Sequence, residues 1–298
     1  MDTDITRIRK QLVDKILSKQ DTHYRWGFDK TLALERPLLT YYEPIYKATL
    51  WTLILLADIK APTRNPQIDR ALQLITDHFY DQEHGIFTLG KGHFPVPCLN
   101  GNMLYLHYYF KGQTTKITDK VIEFFNQYQR FDDGDFKTPK QYPYCSNKSC
   151  YGKHTCYWGI IKLLKGLSFI PEEQRSNNAR ELLQKCIDFV LLHEVCYSSH
   201  QRDQFLHKMI ARLTFPNLYR GDFLEILWLL TRVGVRGVEM SRAVELLISR
   251  QNEDGSWDLE HPMHSLIISV GRKGRANLFV TERALEVLDY WDAGNQPG

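Results

Sequence analysis

The sequence predicts an all-α protein that forms one domain over residues 1–298. Three observations predict this class: short Gly-x-aromatic turns recur along the chain, helical segments of two alternating kinds lie between them, and period-two alternation of apolar residues is scarce. No Gly/Ser-rich or Pro-rich linker divides the chain. With 43% hydrophobic and 24% charged residues, the composition is that of a globular protein with a large core.

The recurring turns have the order Gln, a short polar stretch, Gly, one residue and a large aromatic. Clear copies lie at residues 82–87, 129–136 and 251–257, and a weaker copy with a longer gap lies at 20–28. Glycine permits the positive φ of a sharp corner, and the aromatic side chain covers the exposed end of a helix. We therefore expect each turn to connect two helices.

The turn glycines also define a period. They are Gly27, Gly85, Gly134 and Gly255, and the intervals between them are 58, 49 and 121 residues. These intervals fit units of roughly sixty residues with one degenerate copy near 193–200, and a period of this size indicates a repeat architecture.

Helical segments of the first kind carry a single apolar stripe. Residues 68–79 and 182–190 place apolar side chains on one face, Cys186 among them, and charged side chains on the other. The second of these helices is expected to begin near Ser176, because serine is a favourable N-cap. A single apolar stripe predicts outer helices.

Helical segments of the second kind are apolar nearly all round, which predicts inner helices walled on both sides. The segments are 45–56, 103–110, 160–167, 223–230 and 284–291. The last of them is expected to open at Thr281-Glu282. About five outer and five inner helices alternate along the chain.

Charge and hydropathy exclude several classes of partner. The chain has 38 Lys and Arg against 35 Asp and Glu, a net charge of +3 that is too small and too dispersed for a nucleic-acid-binding protein. The longest apolar stretch, 48–59, contains Thr and Asp and is too short to span a bilayer, and the N-terminus lacks the apolar core of a signal peptide. We therefore predict a cytoplasmic protein with no transmembrane segment.

In a cytoplasmic chain the six cysteines are expected to be thiols or metal ligands. Cys145, Cys150, His154 and Cys156 lie within twelve residues that lead into an inner helix, and Cys98 lies at the start of the preceding inner helix. Thiolate and imidazole suit Zn²⁺. Four cysteines also suit an iron-sulfur cluster, although the spacing matches neither ferredoxin pattern, and plain packing is the third interpretation.

The repeated turns and the alternation of inner and outer helices resemble those of the superfamily of α/α toroids that contains terpenoid cyclases and protein prenyltransferases. The resemblance extends from about Trp26 to Trp291. It implies a closed barrel of about five to six helix pairs. This barrel serves several unrelated functions, so the resemblance predicts fold more strongly than function.

Residues 153–163, Lys-His-Thr-Cys-Tyr-Trp-Gly-Ile-Ile-Lys-Leu, are similar to the opening of an inner helix in the catalytic subunits of protein prenyltransferases. The histidine of that motif is a zinc ligand, which implies the same role for His154. The matching rim segment here, 97–102, supplies Cys98 but lacks the Asp-x-Cys pair of the family. The third ligand is therefore taken from Cys145, Cys150 and Cys156.

Asp222 and Tyr219 are candidate catalytic residues, because they lie at the start of the fourth inner helix on the same predicted rim. A carboxylate there can act as an acid or base, or it can cap the helix. Asp132 and Asp133, by contrast, belong to a repeat turn. We assign them to a helix connection and not to the acid of a protonation-initiated cyclase.

Arg220, Arg275 and Arg283 are predicted to form a cationic edge that receives a phosphate or carboxylate, and Asn100 is predicted to orient the bound molecule. A solvated basic loop, and a turn-terminating asparagine, are the alternative interpretations.

The resulting hypothesis is a zinc-dependent enzyme, similar to a prenyltransferase or terpene cyclase, that acts on an apolar, isoprenoid-like small molecule inside the barrel. A protein prenyltransferase proper requires a partner subunit, which the sequence does not imply. The alternatives are a non-catalytic binding module with a structural metal and an iron-sulfur redox protein.

Overall fold

The computed structural model describes residues 2–43, 45–89, 93–146 and 149–294, and 51% of the chain is helical. The helices are α1 (Asp2–Leu17), α2 (Lys30–Glu35), α3 (Thr49–Asp58), α4 (Pro66–Phe79), α5 (Pro97–Lys111), α6 (Lys116–Tyr128), α7 (Tyr157–Ser168), α8 (Asn177–Leu192), α9 (Phe223–Arg232), α10 (Ser241–Ile248) and α11 (Leu278–Ala293). The prediction of an all-α class is confirmed.

Four strands of two residues each complete the regular structure of the described ranges: β1 (Tyr80–Asp81), β2 (Ile86–Phe87), β3 (Thr214–Phe215) and β4 (His261–Pro262). The first two pair antiparallel and form the turn around Gly85, whereas β3 and β4 pair in parallel and tie two distant connections together. In the same ranges, each helix is too short or too polar to cross a membrane.

Two kinds of helix alternate in the core, as predicted. Every residue of α3 is buried, and α5, α7 and α9 are buried over most of their length. Helices α4, α6, α8 and α10 bury one face each. Each of these amphipathic helices packs against one or two of the buried ones, and α5 packs closely along α7.

The last inner helix differs from the prediction. Helix α11 begins at Leu278, after an Asn277 side chain that accepts hydrogen bonds from the backbone N–H groups of Phe279 and Val280, and not at Thr281. Only part of its surface is buried, and Leu285 is exposed. An asparagine N-cap explains the earlier start, because its amide oxygen satisfies the first free N–H groups of the helix.

The glycine turns are confirmed. Gly27, Gly85, Gly134 and Gly255 all have positive φ, between 57° and 116°. The weaker copy at 20–28 is a full member of the set, because Trp26 and Trp257 make the same hydrogen bond. Each indole N–H donates to the carbonyl ten residues earlier, at 2.8 Å in both cases.

A second shared bond ties each of three turns to the inner helix that follows. A backbone N–H of the turn donates to a threonine hydroxyl 23 or 24 residues later. The hydroxyls belong to Thr49, Thr155 and Thr281. The turns around Gly27, Gly134 and Gly255 therefore repeat in their contacts as well as in their sequence.

The inner helices meet at a buried set of charges, which we call the ionic core. Lys165 of α7 lies 2.7 Å from Asp58 of α3 and 3.1 Å from Glu225 of α9. Lys162 lies 2.7 Å from Glu225, and Arg283 of α11 lies 3.3 Å from Asp58. Both lysines and both carboxylates are fully buried. Buried charges require such pairing, because desolvation of an unpaired ion is very unfavourable.

Tyr105 of α5 completes the ionic core by donating a hydrogen bond of 2.9 Å to Asp58. All five inner helices thereby contribute a side chain to one connected network. Although burial opposes ionisation, the positive charges of Lys165 and Arg283 hold the pKa of Asp58 below its ordinary value.

Ion pairs also join the first helices to the last. Lys60, just after α3, lies 3.0 Å from Glu282 and 3.1 Å from Glu286 of α11. Arg9 of α1 donates to the same Glu282. Helix α11 therefore contacts the beginning of the chain as well as its neighbour α9.

The ionic core predicts a large difference between two Lys→Met substitutions. Lys165→Met leaves Asp58 and Glu225 without their shared cation, and we expect it to lower the free energy of unfolding by about 3–5 kcal/mol. Lys185→Met removes the exposed pair with Glu181 on α8, and we expect a change of less than about 0.5 kcal/mol. Urea denaturation of both variants measures the difference, and equal effects would contradict a shared buried network.

Candidate metal centre

One carboxylate is surrounded by three histidines that come from two connections of the chain. Asp133 lies in the turn after α6, His154 lies just before α7, His193 caps the end of α8, and His200 lies in the connection to α9. All four lie where an outer helix has ended and the next inner helix has not yet begun. The order of the chain therefore places them at one end of the helical layers.

The distances around Asp133 are those of potential ligands to one ion. Its Oδ1 lies 3.8 Å from Nδ1 of His154 and 3.8 Å from Nε2 of His193. Its Oδ2 lies 3.3 Å from Nε2 of His200. Tetrahedral ligands at the usual Zn–N and Zn–O distances are separated by about 3.3 Å. The ligand atoms of Asp133, His154 and His200 all lie within 4.8 Å of one another.

The group is open on one side and closed on the other. The side chains of His154 and His200 are 61% and 59% exposed, whereas that of His193 is 2% exposed. Burial lowers the pKa of His193, so this imidazole stays neutral at neutral pH. Its Nδ1 is buried without a hydrogen-bond partner in the described structure.

The backbone holds Asp133 and His154 in register. Residues 133 and 154 form an antiparallel bridge, and Thr155 donates from its N–H to the carbonyl of Asp132 at 2.9 Å. A Cβ at Gly134 would lie 2.8 Å from Cε1 of His154, so only glycine lets this imidazole approach the turn. The turn glycine therefore positions a candidate ligand.

Aromatic and hydroxyl contacts orient the remaining members. The rings of Phe189 and Tyr157 contact His193 edge-on, with ring centres 4.9 and 5.2 Å away. Ser199 donates its hydroxyl to the carboxylate of Asp133, and His200 contacts the Asp133 carbonyl at 2.6 Å. These contacts fix imidazoles and carboxylate before any ion binds, which favours binding because less ordering is needed.

The predicted cysteine ligands lie elsewhere. Cys150, Cys156 and Cys98 are close enough to influence one another electrostatically. Cys145 is exposed. Among the described residues, two groups of three or more potential ligands lie within 4.8 Å, and neither contains a cysteine. The five predicted ligands are therefore not brought together, and only His154 joins a group that fits an ion.

The protonation of the cysteines follows from their surroundings. Burial raises the pKa of Cys98 to about 12. The contact with Cys150 lowers the pKa of Cys156 to about 6 and raises that of Cys150, so the two share one proton.

Asp222 and Tyr219 are engaged in the structure around α9. Asp222 is buried and caps the helix, accepting hydrogen bonds from the N–H groups of Glu225 at 2.7 Å and Thr214 at 2.6 Å. Tyr219 stacks on Tyr46, with ring centres 6.4 Å apart. Of the two sequence interpretations of Asp222, the geometry matches the helix cap.

The predicted cationic edge does not form as a unit. Arg283 is buried in the ionic core and donates to Asn217 at 2.7 Å, whereas Arg220 and Arg275 are exposed. Asn100 is buried and bonds the backbone of Phe87 through both its amide oxygen and its amide nitrogen. Asn100 therefore fastens the turn around Gly85, and Arg283 is occupied by protein groups.

The inner helices also enclose a cavity of about 210 Å³ next to the ionic core. Asp58, Arg283 and Arg232 line it together with several aromatic side chains, Tyr105 and Trp228 among them. The guanidinium of Arg232 lies 3.8 Å from the ring centre of Phe169. A cavity of this size falls below the range of roughly 300–1,000 Å³ that is usual for ligand pockets.

A further imidazole group lies at the preceding turn. Asp81 accepts from His84 at 2.9 Å and from His93, and Glu83 lies nearby. Direct hydrogen bonds already satisfy this carboxylate. In the Asp133 group, Ser199 and His200 also make direct hydrogen bonds to Asp133. The nitrogens of His154 and His193 differ, because they lie 3.8 Å from the carboxylate without a direct hydrogen bond to it.

Neither a comparison with protein-family models nor a comparison with curated proteins finds a match for this chain. The geometry of the residues therefore carries the functional argument.

Sequence reasoning missed three of the four residues of this group. His193 and His200 lie where the repeat is degenerate, so no neighbouring pattern marks them. Asp133 was correctly placed in a repeat turn, but a turn position does not exclude ligation. The usable signal was the placement of all four residues between an outer and an inner helix.

The helix cap predicts a pH dependence. Burial raises the pKa of Asp222 from its ordinary 3.8 to about 6, so the folded state favours the protonated carboxyl. Its stabilising contribution is complete below pH 4 and is lost as the pH rises through 6. Asp222→Asn keeps a capping oxygen but does not titrate. Relative to this variant, we expect the wild type to lose about 2 kcal/mol of unfolding free energy between pH 4 and pH 7.

Urea denaturation at intervals of half a pH unit measures this difference. If the free energies of unfolding of the two proteins changed in parallel over this pH range, the raised pKa of Asp222 would be contradicted.

Proposed function

We propose that this protein binds a divalent transition-metal ion, Zn²⁺ in the first instance, through Asp133, His154 and His200, with the buried His193 packed against the same carboxylate. The observation that carries the proposal is the convergence of three imidazoles, from two separate connections, on one carboxylate. One Asp-His contact is readily explained as a hydrogen bond that only stabilises the fold. That explanation does not account for three around the same side chain.

The donor set favours zinc-like ions over alkaline-earth ions. Imidazole nitrogen and carboxylate oxygen suit Zn²⁺, Co²⁺ and Ni²⁺, whereas Mg²⁺ and Ca²⁺ prefer oxygen donors throughout. A bound Zn²⁺ with an open position acts as a Lewis acid and lowers the pKa of a coordinated water to about 7. The exposure of His154 and His200 on one side supports an open position that faces solvent.

The chain's own residues have separable tasks at this site. Ser199 orients the Asp133 carboxylate by donating to Oδ2, and the bridge between residues 133 and 154 holds His154 beside it. Phe189 and Tyr157 exclude water from the buried side of His193. A substrate would approach from the opposite side, between the two exposed imidazoles.

We further propose that the helices form an α/α toroid, as the resemblance implies. Support comes from the alternation of buried and amphipathic helices and from the ion pairs that join α11 to α1 and to Lys60. Transfer or cyclisation of an isoprenoid-like group inside the barrel has weaker support than a solvent-facing metal centre, because the enclosed cavity is about 210 Å³ and carries several charges.

Metal titration tests the site. We expect one equivalent of Zn²⁺ to bind the wild-type protein in calorimetry, and Co²⁺ to give the visible absorption of a four-coordinate complex. His154→Ala and His200→Ala each remove a nitrogen ligand, so we expect affinity to fall by about 100-fold or more. Asp133→Asn is expected to act in the same direction.

His23→Ala, at an exposed histidine in a separate segment, is the matched control and should leave binding unchanged. Cys145→Ser should also leave it unchanged. Loss of metal in Cys145→Ser with retention in His200→Ala would contradict the proposal and restore the cysteine site.

The same purified protein also tests the two alternative functions that the sequence left open, a structural metal site and an iron-sulfur cluster. Removal of a structural ion lowers the melting temperature, and such an ion has no open coordination position. The absorption spectrum of the Co²⁺ complex distinguishes a closed site from an open one. Brown protein after anaerobic purification would instead indicate an iron-sulfur cluster.

A further inference from the structure

Two cysteines face each other across a tight hairpin just before α7. Residues Tyr151 and Thr155 form an antiparallel bridge, which makes Cys150 and Cys156 the next opposed pair. Opposed residues of an antiparallel pair have their Cβ atoms about 4.5–5.5 Å apart. The hairpin therefore brings the two cysteines together through its backbone pairing.

The hairpin is anchored so that both sulfur atoms lie on one side. Tyr151 is buried and donates its hydroxyl to the carbonyl of Pro95 at 3.0 Å. The Thr155 hydroxyl donates to the carbonyl of Arg130 at 3.0 Å. Side chains alternate between the two faces of a paired segment, so the cysteines adjacent to these residues share the opposite face.

The pairing geometry of the hairpin is close to that of a disulfide-bonded pair. A disulfide requires Cβ atoms about 3.5–4.5 Å apart and Cα atoms about 4.4–6.8 Å apart. A paired hairpin already approaches both requirements, so bond formation needs only small side-chain movements.

Accessibility and backbone pairing together distinguish this pair from the other thiols. Cys186 and Cys196 are buried in the hydrophobic core, whereas Cys150 and Cys156 are each partly accessible. Cys98 is partly accessible as well, but it lies on α5, outside the hairpin that opposes the other two. Cys145 is exposed, but no thiol is paired with it in the described contacts. An oxidant in solution can therefore reach two adjacent sulfurs at this one place.

We propose that Cys150 and Cys156 form a reversible disulfide when the protein meets a hydroperoxide. One thiolate attacks the peroxide, the O–O bond breaks, and a sulfenic acid and an alcohol or water result. The second thiol then attacks the sulfenic sulfur, the S–S bond forms, and water leaves with the remaining proton. Two sulfurs lose two electrons in total, and one peroxide bond is reduced.

The bond would close a ring of seven residues that carries His154 and ends at the N-cap of α7. Oxidation would therefore restrict the segment that leads into an inner helix. The proposal does not depend on metal binding, because it concerns only the backbone pairing and the two sulfurs.

Peptide mapping tests the proposal without any variant. Trypsin cleaves after Lys153, so Cys150 and Cys156 fall on different peptides, 149–153 and 154–162. Cys98 and Cys145 fall on the peptides 92–111 and 141–148. After treatment of the reduced, metal-free protein with hydrogen peroxide and blocking of free thiols, we expect a linked pair of 149–153 and 154–162 that dithiothreitol separates.

We expect the number of thiols that react under denaturing conditions to fall from six to four after oxidation. Cys150→Ser and Cys156→Ser should abolish the linked pair, and Cys145→Ser should leave it unchanged. Linkage of either peptide to 92–111 or 141–148 would overturn the proposal. So would sulfinic or sulfonic acid at these positions without any cross-link.

Discussion

The structure depends on the pairing of charges between helices that are far apart in sequence. Asp58, Lys165, Glu225 and Arg283 belong to four different inner helices, and Tyr105 adds the fifth. Each charge is tolerable in the interior only because its partner lies within about 3 Å. The ionic core therefore determines how the inner helices are rotated and how closely they approach, in a way that apolar packing alone does not require.

The interior and the connections between helices consequently differ in chemistry. In the interior, paired charges lie among apolar side chains and beside a small cavity. The connections between outer and inner helices carry the reactive groups, namely the histidines around Asp133 and the opposed cysteines 150 and 156. Both groups depend on the hairpin at 151–155, which is anchored by Tyr151 and Thr155. Loops on a rigid scaffold are a frequent location for binding residues, because they carry side chains without interrupting the core.

Much of the fold was predictable from the sequence, because periodicity and turn chemistry are local. The positions of the turn glycines and the alternation of helix types follow from patterns a few residues long. The site was only partly predictable. His154 stood out through its motif, but Asp133 and His200, which complete the group, lie 67 residues apart in the chain. The separation of His154 from the cysteines depends on the hairpin. Lys162 and Lys165, inside an otherwise apolar segment, were an unused signal of buried partners.

Repeat proteins built as open stacks can lose a terminal unit and still fold, because each unit contacts only its neighbours. The ionic core removes that freedom here, since Asp58 near the start of the chain needs groups from α7 and α11. In a growing or truncated chain that lacks α11, Asp58 is buried without the positive charge of Arg283. Folding should accordingly be an all-or-none event that is completed only when α11 docks. It should be slow, because it requires contacts between residues far apart in sequence and cannot proceed unit by unit from one end.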